Sequence, residues 1–230
     1  FTGDGGMDVM DRLLNDTAEE FTLKAVGNCR RSLMSGVTTA RDVGARFGIN
    51  INIARQTAAG AVFGPRIIAS GEWFQYPGTW PAGLTRTTET PEELLLGIQD
   101  MIQRGAGLIK VGATGFRPDG SQFASMSREA LDVAVKASHE AGLKIAAHCH
   151  GFEGTLLAVE AGIDSIEHGS YVDEPTVRLM AEKGTYMVPT LSTWDARERL
   201  AIQMGWSKEQ MADIYDRKEN SIASFKRALQ

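Results

Sequence analysis

The sequence predicts an α/β protein of the (β/α)8 TIM-type barrel class, incomplete, with about six βα units in view. Three observations predict it. Strand-like and helix-like segments alternate almost throughout, separated by short glycine turns, which implies parallel strands joined by crossover helices. The Gly-rich phosphate fingerprint that follows the first strand of a doubly wound open sheet is missing. The unusual polar residues fall at or near strand ends, where barrels carry their reactive groups. About six strands do not close an eight-stranded barrel. At least one strand is therefore expected to be missing at each end, or to come from elsewhere.

The elements follow in order. A helix is expected over about Thr17–Ser35, then a strand and its turn in "GVTTARDVG" (Gly36–Gly44). Helix returns near Arg46–Ala59, and "PRIIASG" (Pro65–Gly71) reads as strand. A long aromatic-rich loop covers Glu72–Glu89. "TPEE" then starts a helix, with Thr90 as N-cap, Pro91 at the first helical position and Glu93 completing a capping box. That helix runs to about Arg104 and gives way to "GLIKVGATG" (Gly107–Gly115), which begins as strand. Ser127 caps the next helix, which closes before Gly142. The strand Leu143–His150, a short helix over Thr155–Ala161, the strand Gly162–Gly169, a helix over Glu174–Lys183 and the strand Thr185–Leu191 complete the alternation. The tail from Ser207 is polar and helical, opened by a second capping box in "SKEQ". No linker interrupts residues 1–230, which read as one barrel-type catalytic domain lacking its first and last strands.

Composition narrows the function classes. A formal net charge of −5, with no basic stripe among aromatics, argues against a nucleic-acid partner. No apolar run is long enough to span a bilayer, so no membrane partner is expected. Cys29 and Cys149 are too few for a disulfide framework, which makes a reduced, cytoplasmic protein the default. The chain opens Phe1-Thr-Gly-Asp-Gly-Gly, with neither an initiator Met nor a signal-peptide pattern. It is expected to start within a longer gene product. An incomplete barrel exposes strand edges, so a longer native chain or a homo-oligomer is expected as well.

Lys110, in "LIKVG", carries chemistry if Ile109 and Val111 face the outer helices and leave it pointing inward. Burial disfavours an ammonium, so such a lysine pairs with a carboxylate, snorkels to the strand end, or loses its proton and reacts. A neutral amine captures carbon dioxide as a carbamate, an anionic oxygen ligand. "KIAAHCHG" (Lys144–Gly151) holds two of the four histidines. Alternation puts His148 and His150 on one face and turns Cys149 away as a small buried hydrophobe. Metal binding, substrate binding and simple strand termination are all open to them. His168 ends the following strand in "SIEHGS". Adjacent strands lie about 4.8 Å apart, so Lys110, His148 and His168 can converge on one ion. Two imidazoles and an anionic oxygen suit zinc, manganese or cobalt. Strict alternation places Ile166 on the face of His168, so a bulge or twist is expected near that strand end.

"GVTTARDVG", "IKVGATG", "AAHCHG" and "SIEHGS" resemble, in order and spacing, motifs of the metal-dependent amidohydrolase superfamily. The branch they resemble most is the imidazolonepropionase-like and Xaa-Pro-dipeptidase-like one. The resemblance implies a carboxylated Lys110 bridging two divalent ions, zinc being expected, with His148 and His168 holding the second. It implies that His150 contacts substrate and is not a ligand. The family's His-x-His pair does not precede Lys110, and its strand-8 Asp, which shuttles the proton, does not follow. Both are expected beyond the ends of this chain.

The implied chemistry is hydrolysis of a C–N bond, amide, peptide or cyclic amide, in a small molecule such as a dipeptide or N-acyl amino acid. A divalent ion lowers the pKa of bound water to about 7 and so supplies hydroxide at neutral pH. Arg117, in "GFRPDG", meets a substrate carboxylate or stands solvated, and Tyr171, three residues past His168, is assigned to the substrate side. Trp73, Phe74, Tyr76 and Trp80 form a substrate lid or anchor their loop. Arg41 and Asp42 form a structural ion pair or touch substrate. The alternative function is a catalytically inert remnant or scaffold with at most one metal. A metal-free phosphate-binding barrel lacks its glycine-rich loop.

Overall fold

The computed structural model describes residues 14–79, 85–117 and 121–230. The chain forms two compact units, Phe1–Val111 with Asp132–Ala146 and Gly112–Leu131 with Ala147–Gln230. Each expected strand and helix has a counterpart. Trp80, Phe1–Gly6 and Pro118–Gly120 of the sequence reading lie outside the described residues.

The first unit opens with α1 (Ala18–Met34), whose Thr17 and Glu20 form a reciprocal capping box, and which buries Phe21, Ala25 and Cys29. β1 (Thr39–Asp42) pairs in parallel with β2 (Arg66–Ala69). Between them a 3-10 turn at Arg46–Gly48 leads into α2 (Ile49–Ala58), with Phe47 and Gly48 in the left-handed region. The expected continuous helix is broken there. Asp42 is buried and accepts from Asn50 Nδ2 at 3.1 Å, so this carboxylate ties β1 to α2.

The long loop contains two short strands that sequence reading missed. β3 (Phe74–Gln75) pairs in parallel with β4 (Arg86–Thr87) and with β5 (Leu108–Gly112), giving the order β5-β3-β4. Two residues are too few for alternation to register. α3 (Pro91–Arg104) starts as expected with Thr90 as cap. Glu93 differs from the expectation. Its carboxylate accepts from Glu89 N at 2.7 Å, one residue upstream of the cap, while its own N–H donates to Thr90 Oγ1. Phe74 is fully buried, and a Cβ at Gly97 of α3 would lie 2.4 Å from its ring. Phe74 is thus a packing anchor, with only hydrogen tolerated above it.

In the second unit, β6 (Thr114–Phe116) and β7 (Gln122–Ala124) form an antiparallel pair, also unforeseen. α4 (Arg128–Glu140), which belongs to the first unit from Asp132 on, is capped by Ser127, whose Oγ accepts from Ala130 N. β8 (Lys144–Cys149), β9 (Ser165–His168) and β10 (Tyr186–Val188) follow in the order β8-β9-β10, β9 and β10 being parallel. α5 (Phe152–Ala161) separates β8 from β9, and α6 (Glu174–Lys183), capped by Asp173, separates β9 from β10. α5 starts three residues earlier than expected, at Phe152, after the cap residue Gly151, whose carbonyl takes the Thr155 hydroxyl. α7 (Ser192–Gln203) and α8 (Ala212–Ala228) close the chain. α7 was not foreseen, since Trp194 and Ala201 are its only buried residues and set no clear period. The SKEQ box forms in both directions between Ser207 and Gln210.

Candidate metal centre

β8 is buried along its length after Lys144, so its alternation is one of direction and not of exposure. His148 lies in the strand and His150 just past its end, both buried. Cys149 between them is fully buried, as a small hydrophobe should be. His168, the last residue of β9, brings a third imidazole. The candidate ligand atoms of His148, His150 and His168 all lie within 4.8 Å of one another, the one such cluster among the described residues.

The twist expected at the end of β9 is there. His168 has φ of 78° and Gly169 follows at 60°, so the chain leaves the extended conformation at the histidine itself. Ile166 stays fully buried, and the imidazole is freed from the strand's alternation. Thr190 is also left-handed, at φ 47°, and its Oγ1 lies 2.7 Å from His168 Nδ1. A β-branched residue rarely adopts this conformation. Two strained residues hydrogen-bonded to each other are the kind of geometry found at functional sites.

Ring orientation distinguishes the three imidazoles. His150 and His168 are stacked, 4.6 Å between centroids and 9° between planes. His148 stands across both, at 81° to His150 and 73° to His168, with centroid distances of 4.8 and 4.7 Å. A histidine binds a metal along a nitrogen lone pair, in its ring plane, at about 2.0–2.1 Å for zinc. Nearly parallel stacked planes share no point within that reach. The plane of His148 crosses each of the other two. The crossed planes therefore suit an ion shared by His148 and one of the stacked pair. His168 and His150 each have Nδ1 held by a hydroxyl at 2.7 Å, Thr190 Oγ1 and Ser170 Oγ respectively, as a metal-bound imidazole is held by an outer hydrogen bond.

Phe116 closes one side, its ring 6.5 Å from His148 and 5.5 Å from His150, and the Arg217 guanidinium covers it at 4.4 Å. Trp194 of α7 meets His150 edge-on at 5.9 Å. His150 Nδ1 lies 2.7 Å from Ser170 Oγ. None of Ser170, Trp194, Thr190 and Arg217 was singled out from sequence. Ser170 alone had a signal, its place in "EHGS".

Arg117 and Tyr171 come together in a cleft of about 510 Å³ lined also by Gln122, Phe123 and Phe152. Arg117 is exposed, lies over the Phe123 ring at 4.9 Å and donates to Gln122 O. Tyr171 N donates to His150 O at 3.1 Å, which ties the cleft wall to the end of β8. The Tyr171 hydroxyl donates to Asp216, and burial together with that carboxylate pushes its pKa well above the ordinary tyrosine value. In the first unit, Lys110 is buried on β5 with its Nζ 5.7 Å from the Trp73 ring centroid. Trp73 and Tyr76 are half-buried.

Among the described residues no helix is long and apolar enough to cross a membrane. An amidohydrolase family model matches residues 4–229. Ochratoxinase of Aspergillus niger is 32% identical over 192 residues, 71% of this chain and 39% of that protein. The crystal structure of A. niger ochratoxinase superposes with a TM-score of 0.84 at 26% identity, covering 99% of this chain and 58% of that one. A Xaa-Pro dipeptidase with methionine bound in its active site gives 0.79 at 27% identity, covering 93% and 57%. The chain thus spans little more than half of these solved relatives, and their fold is the (β/α)-barrel class expected from the alternation. With the family model matched almost end to end, the chain belongs to the amidohydrolase family.

Proposed function

We propose that this chain carries the central part of the catalytic barrel of a metal-dependent hydrolase cleaving amide-type C–N bonds in small molecules. Dipeptides and N-acyl amino acids are the substrate class. The observation that carries the reading is the crossed pair His148 and His168, with Thr190 behind the second. The named relatives, an ochratoxinase and a Xaa-Pro dipeptidase, support the bond type.

His148 and His168 would hold a divalent ion, zinc by their donor chemistry, and Lys110 as its carbamate would supply an anionic oxygen donor of the kind such ions take. When bound, such ions acidify water and polarise a carbonyl. The chain's own residues bind and orient. Arg117 has five N–H donors and spends one on Gln122, so its fork is available to a substrate carboxylate. The Tyr171 hydroxyl donates to Asp216 and keeps its proton, so its oxygen can serve the cleft as an acceptor. Phe116 and Trp194 keep water from the imidazoles, which strengthens every polar contact there. No residue of this chain is assigned the proton transfer to the leaving nitrogen. Homo-oligomerisation and a cytoplasmic location belong to the same proposal.

The test is metal content and hydrolysis of a dipeptide and N-acyl amino acid panel, for the protein and for Lys110→Ala. The expected result is bound metal and turnover, both reduced by the substitution. Unchanged metal and activity in Lys110→Ala would overturn the ligand role of Lys110. One weakly held ion and no turnover in the unsubstituted protein would point to an inert barrel.

A further inference from the structure

His150, which the proposed function leaves outside the metal pair, sits at the end of a hydrogen-bond chain that runs back through the second unit. Trp194 Nε1 donates to Ser221 Oγ at 2.9 Å, Ser221 Oγ donates to Ser170 Oγ at 2.9 Å, and Ser170 Oγ lies 2.7 Å from His150 Nδ1. Ser170 and Ser221 are almost completely inaccessible, so each hydroxyl proton needs a protein acceptor. Ser224 holds the turn in place, its Oγ donating to Ser170 O and accepting from Val172 N.

The direction of this chain is set at its far end. An indole N–H donates only, so Ser221 Oγ accepts from Trp194 and has its own proton to give. Among the described residues its other partner is Ser170 Oγ, which therefore accepts. Ser170 in turn has one acceptor left for its proton, His150 Nδ1. The reverse direction would strand the Ser221 proton in a buried site, at a desolvation penalty of about 1–3 kcal/mol. With Nδ1 accepting, neutral His150 carries its proton on Nε2.

We infer that Trp194, Ser221 and Ser170 are positioning residues that fix His150 as the Nε2–H tautomer, making it a hydrogen-bond donor to substrate and not a metal ligand. The group of the substrate facing His150 is then an acceptor, a carbonyl or carboxylate oxygen. This rests on the proposed hydrolase only for the word substrate; the tautomer stands on the hydrogen bonds alone.

The experiment is long-range 15N–1H correlation NMR on protein labelled with 15N-histidine, metal-free and zinc-loaded, with His150 assigned by the signals lost in His150→Gln. The expected spectrum shows His150 as Nε2–H in both states. In Ser221→Ala and in Trp194→Phe, which keeps an aromatic face on His150, the single form should give way to a mixture containing Nδ1–H. Ser221→Thr should restore the single form. An Nδ1–H His150 in the unsubstituted protein, loss of its Nε2 proton on zinc loading, or an unmixed Nε2–H form in both variants would overturn the inference. Failure to bind zinc would count against the proposed function and leave the tautomer result readable.

Discussion

The ends of β8 and β9 present the same side chain by different backbones. At β8 the chain stays extended, and plain alternation puts His148 and His150 on one side with Cys149 turned into the core. At β9 the backbone swings into the left-handed region at His168 and Gly169, and a second strained residue, Thr190, is hydrogen-bonded to the imidazole. The first end is built by a repeating pattern, the second by a local violation of it. Strain of this kind costs of order 1–3 kcal/mol per residue and persists where the surroundings hold it.

The comparison gives a ranked set of expectations. His148 is the ring common to both possible pairs, so His148→Ala should have the largest effect, abolishing bound metal with more than a 100-fold loss in affinity, about 2.8 kcal/mol. Isothermal titration with zinc measures it, and retained affinity would remove His148 from the site. Next, packing behind β8 should be intolerant. A Cβ at Gly154 would sit 2.3 Å from the Ala113 carbonyl oxygen, a backbone atom that cannot swing aside. Gly154→Ala should therefore cost about 1–3 kcal/mol in chemical denaturation, and an unchanged midpoint would mean that α5 can slide.

At β9 the support is a single hydroxyl. Thr190→Val keeps the branched shape and removes the oxygen, and zinc affinity should fall about 10–100-fold. An equal affinity would mean that Thr190 is strained for some reason other than His168.

The smallest expected effect is at Tyr171. Its folded pKa is raised, so its protonated form is the one the fold favours. The stability it contributes is full below the ordinary tyrosine pKa of about 10 and is lost as pH rises through the folded value. The gap in denaturation midpoint between Tyr171→Phe and the unsubstituted protein should accordingly be present near neutral pH and shrink above about pH 10. A gap independent of pH would exclude the ionisation as its source.

How much of this was legible follows the same division. The strands carrying Lys110, His148 and His168 were readable because each is several residues long and bounded by glycines. The caps at Thr90 and Ser127 were readable, because capping is a contact over three residues. Glu93 shows the limit of such local rules, since two neighbouring N–H groups compete for one carboxylate. The two-residue strands β3 and β4 and the hairpin of β6 and β7 were too short to show a period. Ser221 and Trp194 were illegible for another reason. They lie 51 residues past Ser170 and 27 residues before Ser221 respectively, and only the fold makes them a chain. Positive φ at Thr190 is likewise a tertiary property that no threonine announces.

The central claim is that His148 and His168 are the metal pair and that His150, although stacked on His168, is not. The most direct test is metal stoichiometry by elemental analysis of His168→Ala and His150→Gln, purified side by side without chelator and reconstituted with zinc. The expected result is loss of an ion from His168→Ala and the full complement in His150→Gln. An ion lost from His150→Gln and kept by His168→Ala would exchange the two roles and contradict the account.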